Sequence, residues 1–149
     1  MGGKDIMFEM YDHEGNAVQH GVARINGIKM HYTVAGNGPV LLLLHGTPKN
    51  AYYWCRIYPL LTDKFTVVAP DLRGFGYSDK PAASAGYDNL TMAEDIDQLM
   101  NKLGYDRFYI HGEDRGAEYL WVYTQLHPEK VIALSYGCLL YTSFFRIRR

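Results

Sequence analysis

The run Phe108-Tyr109-Ile110-His111-Gly112-Glu113-Asp114-Arg115-Gly116 decides how this chain folds. Its first four residues are aromatic or β-branched, or continue that pattern, and predict a strand. Residues 115–127 predict a helix with Ala117, Leu120, Trp121 and Leu126 as packing residues, stopped by Pro128. Between strand and helix stands the spacing small, any, nucleophile, any, small, with Gly112 and Gly116 as the small residues and Asp114 at the apex. So tight a turn admits only small residues beside the apex. It lifts the apical side chain above the sheet, at a helix N-terminus whose partial positive charge favours a carboxylate over its neutral acid. An aspartate placed there attacks an electrophilic sp3 carbon and becomes an ester, which a second step must hydrolyse. The plainer alternative is that Asp114 only caps the helix that follows.

The flanking sequence supports the elbow. Residues 21–25 and 28–34 predict a hairpin about Asn26-Gly27, which supplies the positive φ angles of a two-residue turn. Residues 40–44 are apolar at every position, as in a strand buried on both faces of a parallel sheet. Residues 51–61 predict a helix, and 65–69 a second buried strand. A loop over 70–89 follows. Thr91 and Glu94 form a capping box for a helix whose stripe is Ile96, Leu99, Met100 and Leu103, ended by Gly104. Residues 131–136 predict a last strand. Strands alternating with helices imply right-handed crossovers and a parallel sheet covered on both faces.

Bulk properties narrow the function. The chain has 149 residues, one domain by size, and 48% hydrophobic residues, enough for a real core. A net charge of −1 argues against a nucleic-acid binder. No apolar run could span a bilayer, and the polar start is not a secretory signal. It also lacks the Ser or Thr of a myristoylation motif. The two cysteines, Cys55 and Cys138, form no CxxC, so the expected setting is reducing and cytoplasmic. The 13 tyrosines are read as packing residues. Residues 74–79 lack the third glycine of a dinucleotide fingerprint. His111-Gly112-Glu113 has no P-C-x-x-C partner for a zinc deaminase, and the six histidines show no metal-ligand spacing. No cofactor and no metal is expected.

In an open parallel sheet, ligands bind beyond the carboxyl ends of the strands. A second unusual segment, His45-Gly46-Thr47-Pro48, lies there with the elbow. Gly46 permits a sharp turn, the Thr47-Pro48 bond is expected to be cis, and the amides of Thr47 and Arg115 are candidates to hold an oxyanion. Asp71 and Arg73 are expected to brace the loop after the second buried strand.

Residues 45–48, the run Asp71-Leu72-Arg73-Gly74-Phe75-Gly76-Tyr77-Ser78-Asp79-Lys80-Pro81, and residues 112–117 resemble the α/β-hydrolase branch that contains epoxide hydrolases and haloalkane dehalogenases. The resemblance covers roughly residues 22–136. It implies a three-layer α/β-hydrolase fold: an N-terminal antiparallel hairpin, then parallel strands, truncated after the strand that follows the nucleophile helix. It implies Asp114 as nucleophile, Thr47 and Arg115 as oxyanion donors, and His45, Gly46, Pro48, Gly112 and Gly116 as motif support. Epoxide hydrolase is favoured. The Trp and Asn that hold halide in haloalkane dehalogenases are replaced by Arg115 and Thr47. Fluoroacetate dehalogenases do carry an arginine beside the nucleophile, which Arg115 matches, but their second carboxylate-binding arginine falls at Glu118, where the sign is wrong. Glu113 stands where epoxide hydrolases often carry histidine, and its side chain is expected to diverge from Asp114.

The resemblance also implies parts that this sequence does not contain: a helical cap whose tyrosines polarise the epoxide oxygen, an acid, and a late histidine that activates water. His127 is expected on the wrong side of the sheet to replace it. The expected organisation is an N-terminal extension over 1–19, a partial core over 20–136, and a non-native or irregular tail over 137–149. Strand 131–136 would then be an apolar edge prone to aggregation. The expected partner is a small epoxide or halogenated compound, with dehalogenation as the alternative reaction. A third reading, from another class, is a non-catalytic fragment that keeps the fold, and it is the expected state of these 149 residues on their own. Nothing in the sequence sets an oligomeric state.

Overall fold

A computed structural model describes residues 8–137. Six strands form one sheet in the order β1-β2-β4-β3-β5-β6. Strands β1 (Gln19–Ile25) and β2 (Ile28–Ala35) are the antiparallel hairpin. Asn26 and Gly27 both have positive φ, 39° and 77°, as the two-residue turn requires. Strands β3 (Val40–Leu44), β4 (Thr66–Pro70), β5 (Phe108–Glu113) and β6 (Val131–Gly137) run parallel to one another. β2 joins them antiparallel to β4.

The unbroken apolar run of β3 is explained by its two faces. Leu42 and Leu44 enter the larger core, with Val68 of β4 and the helices α2 (Asn89–Lys102) and α3 (Arg115–Leu126). Leu43 turns to the opposite face and packs with Trp54, Tyr58, Val67 and Ala69. A third cluster seats the hairpin on α2 through Met30, Ile25, Ile28 and Leu99.

Four local expectations are corrected. Residues 51–61 are not one helix but a 3-10 turn, Ala51–Trp54, and the single-turn helix α1 (Tyr58–Leu61). Pro59 has no N–H to continue an i to i−4 ladder, and Asn50 caps the first turn by accepting from Tyr52 N. Helix α2 begins before Thr91: the Asp88 carboxylate accepts from the amides of Leu90 and Thr91, while Glu94 turns to Gln98. Leu126 is half exposed and Trp121 half-buried, and Tyr119 and Tyr123 fill the α3 face instead. Finally, residues 8–18 do not simply lie on the surface. Met10 and Val18 are buried in the second cluster, and a Tyr11–Ala17 bridge closes the turn between them.

β6 is the outermost described strand on its side, and its Ile132 and Tyr136 are largely exposed. Gly137 continues it in register with Glu113, so the strand runs one residue past the expected boundary. The remainder of the expected tail, 138–149, with Cys138, lies outside the described residues. Among those, no helix is long and apolar enough to cross a membrane.

Candidate active site

The chain leaves β3 toward β4 on one side and reaches β5 on the other. The loops at the carboxyl ends of β3 and β5 therefore diverge, and the crevice between them is where an open parallel sheet binds ligands. His45-Gly46-Thr47-Pro48 follows β3, and Asp114 follows β5.

Asp114 has φ 52° and ψ −125° and makes no side-chain cap to α3. A non-glycine residue in that region is strained, and such strain is found where the surrounding structure demands one side-chain direction. The demand is steric. A Cβ on Gly112 would lie 2.8 Å from the Gly116 carbonyl carbon, and one on Gly116 would lie 2.6 Å from the His45 oxygen. A Cβ on Gly46 would meet Asp114 Cβ at 2.5 Å. Gly112 thus lets α3 turn back tightly on β5, Gly46 and Gly116 let the β3 loop and the elbow press together, and the Asp114 carboxylate is left facing the β3 loop rather than its own helix.

There it meets Thr47, whose amide donates to Asp114 Oδ2 at 3.0 Å. The Gly46–Thr47 peptide is held at its other end too. His45 Nε2 accepts from the Leu72 amide at 3.0 Å, so it carries no proton, and Nδ1–H donates to the Gly46 carbonyl at 2.9 Å. His45 is fully buried, and desolvation holds its pKa below the ordinary imidazole value. A neutral histidine therefore grips the oxygen of the peptide whose nitrogen faces Asp114. The Thr47-Pro48 bond is cis. The Arg115 amide opens α3, where no preceding helical turn supplies an acceptor.

The supporting loop is braced as expected. Burial works against the Asp71 carboxylate, but bonds from His31 Nδ1, Ala51 N and Tyr77 N outweigh it and hold the group below the usual carboxylate range. Arg73 makes a two-pronged bond to buried Asp95, through Nε and Nη2 at 2.7 Å each. His127 lies beside Asp97 of α2 and the Tyr123 ring, away from the crevice.

Two groups beside Asp114 are paired in ways the sequence did not announce. Arg115 Nη1 donates to Glu118 Oε2 at 2.6 Å. Glu113 turns away from the crevice apex and accepts from Tyr53 Oη at 2.6 Å and Lys49 Nζ at 3.5 Å. The charges of Lys49 and Glu113 were the only signal of that cluster. Among the described residues, no three His, Cys, Asp or Glu side chains are grouped to hold a metal ion.

The family model for the alpha/beta hydrolase fold matches residues 39–134, from β3 to β6. The chain belongs to the α/β-hydrolase fold family. It is 48% identical over 99 residues to a soluble epoxide hydrolase of Corynebacterium sp. (strain C12), covering 66% of this chain and 34% of that protein. It is 41% identical over 114 residues to a fluoroacetate dehalogenase of Burkholderia sp., covering 74% and 38%. Among solved structures, the epoxide hydrolase VrEH1 of Vigna radiata superposes with a TM-score of 0.79 at 33% identity, over 84% of this chain and 41% of that one. The chain thus spans little more than a third of the length of these relatives.

Proposed function

We propose that this α/β hydrolase acts through Asp114 as a carbon-directed nucleophile and opens an epoxide by way of an alkyl-enzyme ester. The observation that carries the reading is the bond from Thr47 N–H to Asp114 Oδ2 at 3.0 Å. With Oδ2 held there, Oδ1 is the oxygen left to attack. Its lone pair forms a bond to an epoxide carbon. The carbon–oxygen bond of the ring breaks, its electron pair stays on oxygen, and that oxygen takes a proton from water. In the ester, Oδ2 is the carbonyl oxygen. When water adds to the ester carbon, negative charge collects on Oδ2, opposite the Thr47 amide and near the Arg115 amide that opens α3. Preorganised donors aimed at a developing oxyanion are among the largest contributors to catalysis. Collapse then releases the diol and restores the carboxylate.

The second step needs a base near the ester; that His45 is committed at both nitrogens and His127 is remote supports the reading that neither of these two supplies it. The first half-reaction is therefore assigned to this chain, and full turnover to a protein of its relatives' length. A dehalogenase reading draws on the Burkholderia relative and on Arg115 beside the nucleophile. It is weaker for an anionic substrate, because Arg115 already pairs with Glu118 and Lys49 with Glu113.

Intact-mass spectrometry after incubation with a small epoxide tests the proposal. One added epoxide mass is expected, located at Asp114 by peptide mapping and abolished by Asp114→Asn. An unmodified chain, or an adduct that survives the substitution, would refute it.

A further inference from the structure

We propose that Glu113 is a positioning residue, which ties the segment carrying the Thr47 amide to the elbow and so sets the distance from that amide to Asp114. The proposal rests on the roles given to Thr47 and Asp114 above. Glu113 is the last residue of β5 and immediately precedes Asp114, so adjacent side chains leave the turn in different directions. One meets the Thr47 amide. The other meets Tyr53 and Lys49, which follow Thr47 on the same segment.

The contacts form a closed cluster. Glu113 Oε2 accepts the Tyr53 hydroxyl at 2.6 Å and the Lys49 ammonium at 3.5 Å, and Lys49 Nζ lies 3.7 Å from the centre of the Tyr53 ring. The Glu113 side chain is 23% exposed and that of Lys49 33%, so solvent screens the pair only in part. Desolvation works against the Lys49 charge, but Tyr53 and Glu113 outweigh it and raise its pKa. The Lys49 amide donates to the Gly46 carbonyl at 2.9 Å. Any shift of Lys49 therefore reaches the Gly46–Thr47 peptide directly. Two rows of contact join the same two segments: Thr47 to Asp114, and Lys49 with Tyr53 to Glu113. A residue that served only general stability would not single out the Thr47 amide.

Amide hydrogen exchange measured by NMR on the whole chain separates these cases. Glu113→Ala is expected to speed Thr47 exchange about tenfold, the usual scale for losing a charged hydrogen-bonding partner. Combined Lys49→Met and Tyr53→Phe should do the same from the opposite side, and they carry the test if Glu113→Ala fails to fold. Glu113→Gln, which keeps an acceptor for the Tyr53 hydroxyl, should restore part of the protection. Amides of the β1–β2 hairpin should not change in any variant. Unchanged Thr47 exchange in these variants, or hairpin amides rising by the same factor, overturns the proposal. In parallel, the maximal rate of Asp114 adduct formation should fall while the half-saturating epoxide concentration holds. If the unaltered chain forms no adduct, the nucleophile reading fails, and Thr47 exchange still decides the role of Glu113.

Discussion

Gly116→Ala places one methyl group between the two loops of the crevice. The added carbon would stand 2.6 Å from the His45 oxygen, 2.7 Å from the Leu44 oxygen and 3.0 Å from the Leu44 carbonyl carbon. All three are backbone atoms at the end of β3, the central strand, so no side chain can rotate away. Relief needs a displacement of at least ~0.5 Å of the α3 N-terminus or the β3 loop, in a core packed too densely to absorb it. The expected cost is about 2–3 kcal/mol, the upper part of the range for overpacking. In a chain of this size that corresponds to a melting temperature lower by roughly 5–10 °C. The two segments that must part carry the Asp114 carboxylate and the Thr47 amide that orients it, so the Asp114 adduct should form roughly a hundredfold more slowly. Denaturant melts and timed intact-mass spectra read both quantities. A variant that melts within a degree of the parent and reacts at its rate would refute the claim that the elbow presses on the β3 loop.

Removing the partner of a buried cation should be more disruptive still: Asp95→Ala leaves the Arg73 guanidinium, its side chain 4% exposed, without its carboxylate, and should cost about 3–5 kcal/mol in a urea melt. A loss under about 1 kcal/mol would mean that Arg73 finds solvent or another anion. The pH dependence has a definite sign. His45, His20 and His111 all have pKa values lowered from 6.5 chiefly by desolvation, so the folded state prefers them neutral. Stability from this source is full above 6.5 and is lost as pH falls through their folded values, whereas Asp71, Asp88 and Asp97, lowered from 3.8, act only in stronger acid. Melting temperatures should therefore already decline between pH 6.5 and 5, and a flat profile there would contradict the buried, neutral state of His45.

Features written into adjacent residues were the legible ones. Asn26-Gly27 announces its turn because two positive φ angles are needed within two residues, and the elbow is announced by the spacing of Gly112 and Gly116 about Asp114, although only the clash avoided at Gly112 is local. β3 was legible because burial on both faces leaves it no polar position. The misread elements are those where local signals compete. Thr91 with Glu94 makes a plausible cap, yet Asp88 also fits and brings one more turn into the helix. Residues 51–61 have a helical pattern that Pro59 interrupts. Tyr119 and Tyr123 are buried although tyrosine is amphipathic, since Tyr123 reaches Asp97 with its hydroxyl. The Glu113 cluster was illegible for a different reason. Its partners lie 60 and 64 positions upstream, and nothing short of the register between β3 and β5 brings them together.

That register also governs when the crevice can exist. Leu41 to Leu44 pair with Tyr109 to Gly112, and Thr47 reaches Asp114 across 67 positions of chain. The hairpin can close within a few residues of its turn, but the β3–β5 pairing must first close a loop that contains β4 and α2. Loop closure on that scale slows folding, because its entropy is lost before any contact rewards it. During synthesis the β3 loop therefore emerges long before the carboxylate it is to face. The two halves of the crevice can face each other only once β5 has paired with β3.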